Sequence, residues 1–81
     1  MPVIQIAQND PKTLQHARLQ VQAIARATNL QAVVLWWTWA GGYFAALLQA
    51  QLIDEATKRA LDLEADAARD AWTEPTVTHN E

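Results

Sequence analysis

The stretch AVVLWWTWAGGYFAALL, residues 32–48, holds three of the four Trp residues, both Gly residues and no charge. Its reading decides the fold, because it suits the core of a small helical domain, a docking surface or a membrane span. The uncharged run extends further, from Ala27 to Ile53. That length reaches the ~20 mainly apolar residues that a bilayer crossing needs. Lys12, Arg18 and Arg26 precede it and acidic residues follow it, so a span would place the N-terminus in the cytoplasm.

Three features favour a soluble helical domain instead. Asn29, Gln31, Gln49 and Gln51 trim the strictly apolar part to about seventeen residues. The Trp residues lie near the middle of the run, whereas membrane proteins place them at the two interfaces. Gly41-Gly42 weakens a helix and permits a bend, dividing the stretch into two pieces of bundle length. The alternative is a small single-span membrane subunit with its span near residues 30–53.

Outward from the centre, the punctuation is helical. Asp10 followed by Pro11 is a helix start, with an N-cap and a proline at the first helical position. A first helix from Pro11 to about Ala27 carries a narrow apolar stripe of Leu14, Ala17, Val21 and Ile24. Thr28-Asn29-Leu30-Gln31 matches a capping box, with Thr28 as N-cap, so a second helix restarts here; the alternative is one continuous helix to Ala40. Tyr43 to Ile53 is helical by pattern. Asp54 caps a last helix reaching about Trp72, and Pro75 prevents its continuation.

That last helix has a charged side of Lys58, Arg59, Asp62, Asp66, Arg69 and Asp70, read as solvated. It also has two apolar stripes. Ala56, Ala60, Leu63, Ala67 and Ala71 form one, whose small residues suit close helix approach. Leu61, Ala65, Ala68 and Trp72 form the other. The expected fold is all-α, with three or four short helices in a hairpin or small bundle bent near Gly41-Gly42 or Asp54. Residues 10–73 make the helical domain, residues 1–9 an extended N-terminal arm that includes VIQI at 3–6, and residues 74–81 a polar tail.

Residues 47–61, LLQAQLIDEATKRAL, look like the short helical hairpins of small accessory and oligomerisation domains, including many small phage proteins. The resemblance implies an accessory protein of a phage or another mobile element. The chain departs from the usual form at Gln51, where a Gly often ends the first helix.

Composition excludes several functions. The chain has 81 residues, which makes one small domain that gains from a partner or from oligomerisation. The net charge of −3 argues against nucleic acid, which asks for a basic stripe. Without Cys there is no disulfide, thiolate nucleophile or Cys-ligated metal, and without Ser there is no serine triad. The N-terminus lacks the pattern of a signal peptide, and the expected location is the cytoplasm. His16 reads as a surface or partly buried side chain, and His79 lies in the tail without recognisable ligand spacing. No carboxylate pair stands out as acid and base. The expectation is a non-enzyme with no catalytic residues, metal or cofactor.

The functional candidates are the aromatics. Trp36, Trp37, Trp39, Tyr43 and Phe44 each bury ~150–250 Å² when enclosed. Trp36 and Trp37 diverge by about 100° on a helix, so a domain this small can hardly enclose them all. Most are expected in the core, with at least one projecting as an anchor for a protein partner or a second copy. Trp72 joins this partner-binding set. So does Glu64, which falls between the two apolar stripes of the last helix and needs a donor such as Arg18 or Arg26 if it is covered.

Overall fold

The computed structural model describes residues 7–75. Three helices follow in order: α1 (Pro11–Ala25), α2 (Leu30–Gln49) and α3 (Glu55–Ala71). Each packs on both of the others, and no strand occurs among the described residues. The all-α expectation therefore holds as a three-helix bundle. The arm at residues 3–6, His79 and most of the polar tail lie outside the described residues.

Each helix begins where a short polar side chain can replace the missing intrahelical acceptor. The Asp10 carboxylate accepts from Lys12 N–H at 3.0 Å, with Pro11 in the first turn. Asp54 accepts from Thr57 N–H at 2.8 Å. The start of α2 corrects the capping-box expectation. Asn29, not Thr28, is the N-cap, in extended backbone, and accepts from Ala32 N–H at 2.8 Å. Two adjacent capping residues compete here, and the first helix closes only after Arg26, so the helix restarts one residue later than the box implies.

The expected break at Gly41-Gly42 is absent. α2 runs through both glycines, neither of which has a positive φ. Paired glycines cost ~1 kcal/mol each relative to Ala. Against this, α2 buries Val33, Ala40 and Phe44 between α1 and α3, at ~1.5–3 kcal/mol for each large side chain. Packing on two neighbours outweighs local weakness. The bend falls at the other expected place, the turn before Asp54. The stretch from residue 30 to 53 is thus one helix plus a turn, and no helix among the described residues is long and apolar enough to cross a membrane.

That turn answers the question raised by Gln51. Its φ is 63°, in the left-handed region. Leu52 N–H donates to Leu47 O and Gln51 N–H to Leu48 O, each at 2.9 Å, the bond pair of a Schellman cap. Gln therefore occupies the position that glycine favours. Asn9, also left-handed with φ 61°, ties the start of α1 to the same turn. Its backbone N–H donates to Leu52 O at 2.8 Å, and its side chain donates to Asp54 Oδ2 at 3.1 Å and accepts from Asp54 N–H at 3.3 Å. At the opposite end, the Trp72 indole N–H donates to Ala27 O at 2.8 Å. These two clasps hold both ends of the bundle.

The core consists of Ala17, Ile24, Ala27, Val33, Ala40, Phe44, Ile53, Leu61 and Ala65. The expected stripe of α1 is here, as is the Leu61–Ala65 stripe of α3. The other α3 stripe is not. Ala56, Ala60, Leu63, Ala67 and Ala71 are all exposed, because α3 turns Leu61 and Ala65 to α1 and α2 and has no third neighbour.

Candidate functional site

A helix positions residues three, four and seven apart on one face. Because α2 is unbroken, this register places Leu35, Thr38, Trp39, Gly42 and Ala46 together, opposite the core residues Val33, Ala40 and Phe44. On this face Leu35 is 60% exposed and Trp39 61%, with Trp36 exposed at its edge, while the exposed Val34 and Leu30 lie on the flank of α2 turned away from Trp39. No residue of α2 is charged. Leu35, Thr38, Trp39, Gly42 and Tyr43 line an open groove with a volume of about 370 Å³. A Cβ built on Gly42 or Gly41 would have no neighbour within 4 Å, so nothing in this chain's own packing requires glycine at either position.

A second groove, of about 420 Å³, opens on the α3 side and shares Thr38 and Gly42 with the first. It is lined also by Trp37, Gly41, Asp62 and Asp66. Its acids are already partnered. Asp66 accepts from the Trp37 indole N–H at 2.9 Å and lies 3.9 Å from Arg69, and Lys58 donates to Asp62 at 2.6 Å. The Arg69 guanidinium sits 4.4 Å from the centre of the Trp37 ring, at cation–π distance.

The expected partner-binding residues therefore divide. Trp39 stands out into solvent, with Trp36 exposed at the edge of the same helix and Tyr43 half-buried at the groove wall. Phe44 is withdrawn from the set. It is fully buried, with its ring edge-on to Tyr43 at 6.3 Å, and offers no surface. Trp37 and Trp72 are half-buried, and their indole N–H groups are used within the chain. Glu64 found the donor it needed: Arg18 Nε and Nη2 reach its two oxygens at 3.2 and 3.1 Å, joining α1 to α3. The pair is open to water, with side chains 49% and 38% exposed, so it links helices more than it presents a free carboxylate. His16 is exposed on α1.

Sequence reasoning missed Leu35, Thr38 and Gly42. The signal was present in the spacing 35–38–39–42–46. It becomes readable only if α2 is taken as continuous, and the Gly-Gly pair pointed the other way.

One titrating group responds to the fold near the site's far end. The Asp54 carboxyl is held below the usual carboxylate range by donation from Thr57, side chain first and backbone N–H second, with Asn9 adding a third hydrogen bond. Apart from the Tyr43 hydroxyl, the outward groove of α2 carries no ionisable side chain. What it can do is bury apolar surface. No family model, curated protein or solved structure matches this chain.

Proposed function

We propose that this chain is a small non-enzymatic accessory module, working in the cytoplasm, that docks on a protein through the outward face of α2. The observation that carries this reading is the pair Leu35 and Trp39, each about 60% exposed beside an apolar groove on a helix without a charge. Trp is the commonest hot-spot residue at protein interfaces, and exposed apolar patches on small proteins mark interaction sites. The absence of Ser and Cys and the acidic balance favour binding over catalysis and over nucleic acid. The hairpin resemblance at residues 47–61 fits an accessory protein of a phage or mobile element. Its turn has the left-handed cap at Gln51 that such hairpins give to Gly.

The test is photocrosslinking in cells. A photoreactive amino acid replacing Leu35 should give covalent protein adducts that disappear when Trp39→Lys is added. The same amino acid replacing Gln22, exposed on α1, should give none. Equal labelling from both positions, or none from position 35, contradicts the docking reading.

A further inference from the structure

We infer that the protein docked on α2 presents an acidic surface, whose carboxylates meet Lys12 and Arg26 while its apolar part receives Trp39. This rests on the docking reading above and adds the chemistry of the partner.

The first argument is the distribution of charge along the chain. Residues 11–53 hold Lys12, Arg18 and Arg26 and no carboxylate at all. That interval is α1, α2 and the turns after them. Of the nine acids, Asp10 precedes it, with its carboxylate capping α1, and every other one stands at Asp54 or beyond. The net charge of −3 therefore hides a cationic part and a more strongly acidic one.

The second argument is where the fold puts these charges. Arg18 is held by Glu64, whereas among the described residues no ion pair involves Lys12 or Arg26. Lys12, Leu19 and Arg26 follow at intervals of seven, so they share one line of α1, and all three are exposed. Gln22 is turned from that line toward Arg18 and α3. On α2, Trp37 marks the side of α3, since its indole N–H reaches Asp66. Trp36 and Trp39 stand ~100° and ~160° round the helix from Trp37, beyond the buried Ala40. They therefore turn away from α3 and toward the side of α1. Exposed indoles and unpaired cations share the α1–α2 side of the bundle, and the carboxylates from Asp54 to Asp70 belong to α3 and its cap.

The third argument selects the class of partner. Lys12 and Arg26 are ~20 Å apart along α1, a spacing that carboxylates on a folded protein can match. Nucleic acid carries a charge every ~1.7 Å and asks for a dense basic stripe. Anionic lipid is recognised by clusters of roughly four to eight cations, and two separated ones form no cluster. Charges at the rim of an apolar contact steer the encounter and fix its orientation, which is the part these two side chains are placed to take.

Crosslinking from position 35, repeated with charge variants, tests the inference. Lys12→Glu/Arg26→Glu should cut the adduct yield at least ~10-fold with unchanged helix content, because like charges then face each other. Lys12→Arg/Arg26→Lys should keep the yield, and Arg59→Glu, exposed on α3, should leave it within ~2-fold. In a lysate, the adducts of the parent should decline as salt rises from ~50 to ~500 mM. Mass spectrometry should find Asp and Glu in excess of Lys and Arg in the partner's crosslinked peptide. A yield indifferent to Lys12→Glu/Arg26→Glu or to salt overturns the acidic partner and leaves the docking reading standing. So does an equal loss in Arg59→Glu, or a basic crosslinked peptide. Sedimentation of the parent with phosphatidylserine-containing vesicles, abolished in Lys12→Glu/Arg26→Glu, assigns the cations to lipid and overturns it as well. Loss of all adducts from position 35 removes both readings.

Discussion

The two faces of α2 are made of similar material and have opposite fates. The inward face places Val33, Ala40 and Phe44 between α1 and α3, with Trp37 at the seam. The outward face places Leu35 and Trp39 in water. Composition does not separate them, since each has aromatic, aliphatic and small residues. The neighbours do. α1 and α3 offer complementary stripes, Leu14–Ala17–Val21–Ile24 and Leu61–Ala65–Ala68, and two helices can cover only one side of a third. The difference teaches that the aromatic richness of α2 exceeds what its own bundle can use. On the outward face that surplus is carried by Leu35 and Trp39.

The largest expected effect breaks the inward face. Phe44→Ala should lower unfolding free energy by ~3–5 kcal/mol, because it opens a cavity in a fully enclosed site. Trp39→Ala, though it removes a larger side chain, should cost under ~1 kcal/mol in the isolated chain. Urea denaturation of both variants makes the comparison, and equal losses would erase the distinction between the faces. The seam should fall between them. Trp37→Phe keeps the ring under Arg69 but removes the N–H that Asp66 accepts, and should cost ~1–2 kcal/mol by the same measurement.

Smaller effects sharpen the account of what holds the bundle. Gln51→Gly should stabilise by ~1 kcal/mol, because it relieves a left-handed conformation that Gln adopts at a cost. A thermal melt reads this as a rise of several degrees in a domain this small. Glu64→Ala should cost no more than ~1 kcal/mol, since the pair with Arg18 is solvent-screened, and Glu64→Gln should cost less. Asp54 contributes through pH. Its carboxyl is depressed in the folded chain, so its stabilisation is present above the ordinary carboxylate range and is lost as pH falls through its lowered value. Stability of the parent should fall with acid across that window, and Asp54→Asn should show a shallower decline in a pH series of denaturation midpoints.

Much of the fold was legible because short polar caps and periodic stripes act locally. Asp10-Pro11 and Asp54 mark helix starts through hydrogen bonds within one turn, and Leu14–Ile24 and Leu61–Ala68 state which way their helices face. The break at Gly41-Gly42 was misread because glycine propensity is a local cost, whereas the gain that overrides it comes from α1 and α3 on either side. The same misreading hid the outward face, whose register spans the two glycines. Phe44 and Trp39 could not be sorted by residue type, because burial depends on which direction the neighbours occupy. Glu64 meets Arg18, one of the two donors named for it on the first helix, while the Ala56–Ala71 stripe beside it is exposed.

The outward face of α2, with Leu35 and Trp39, is surplus to the chain's own fold. The most direct measurement is chemical denaturation of Leu35→Lys/Trp39→Lys, with the parent at the same high dilution. Lys is a good helix former, so the substitutions test packing and not propensity. The account predicts a cooperative transition within ~1 kcal/mol of the parent. A loss approaching that of Phe44→Ala would show that Leu35 and Trp39 belong to the core, and would contradict it.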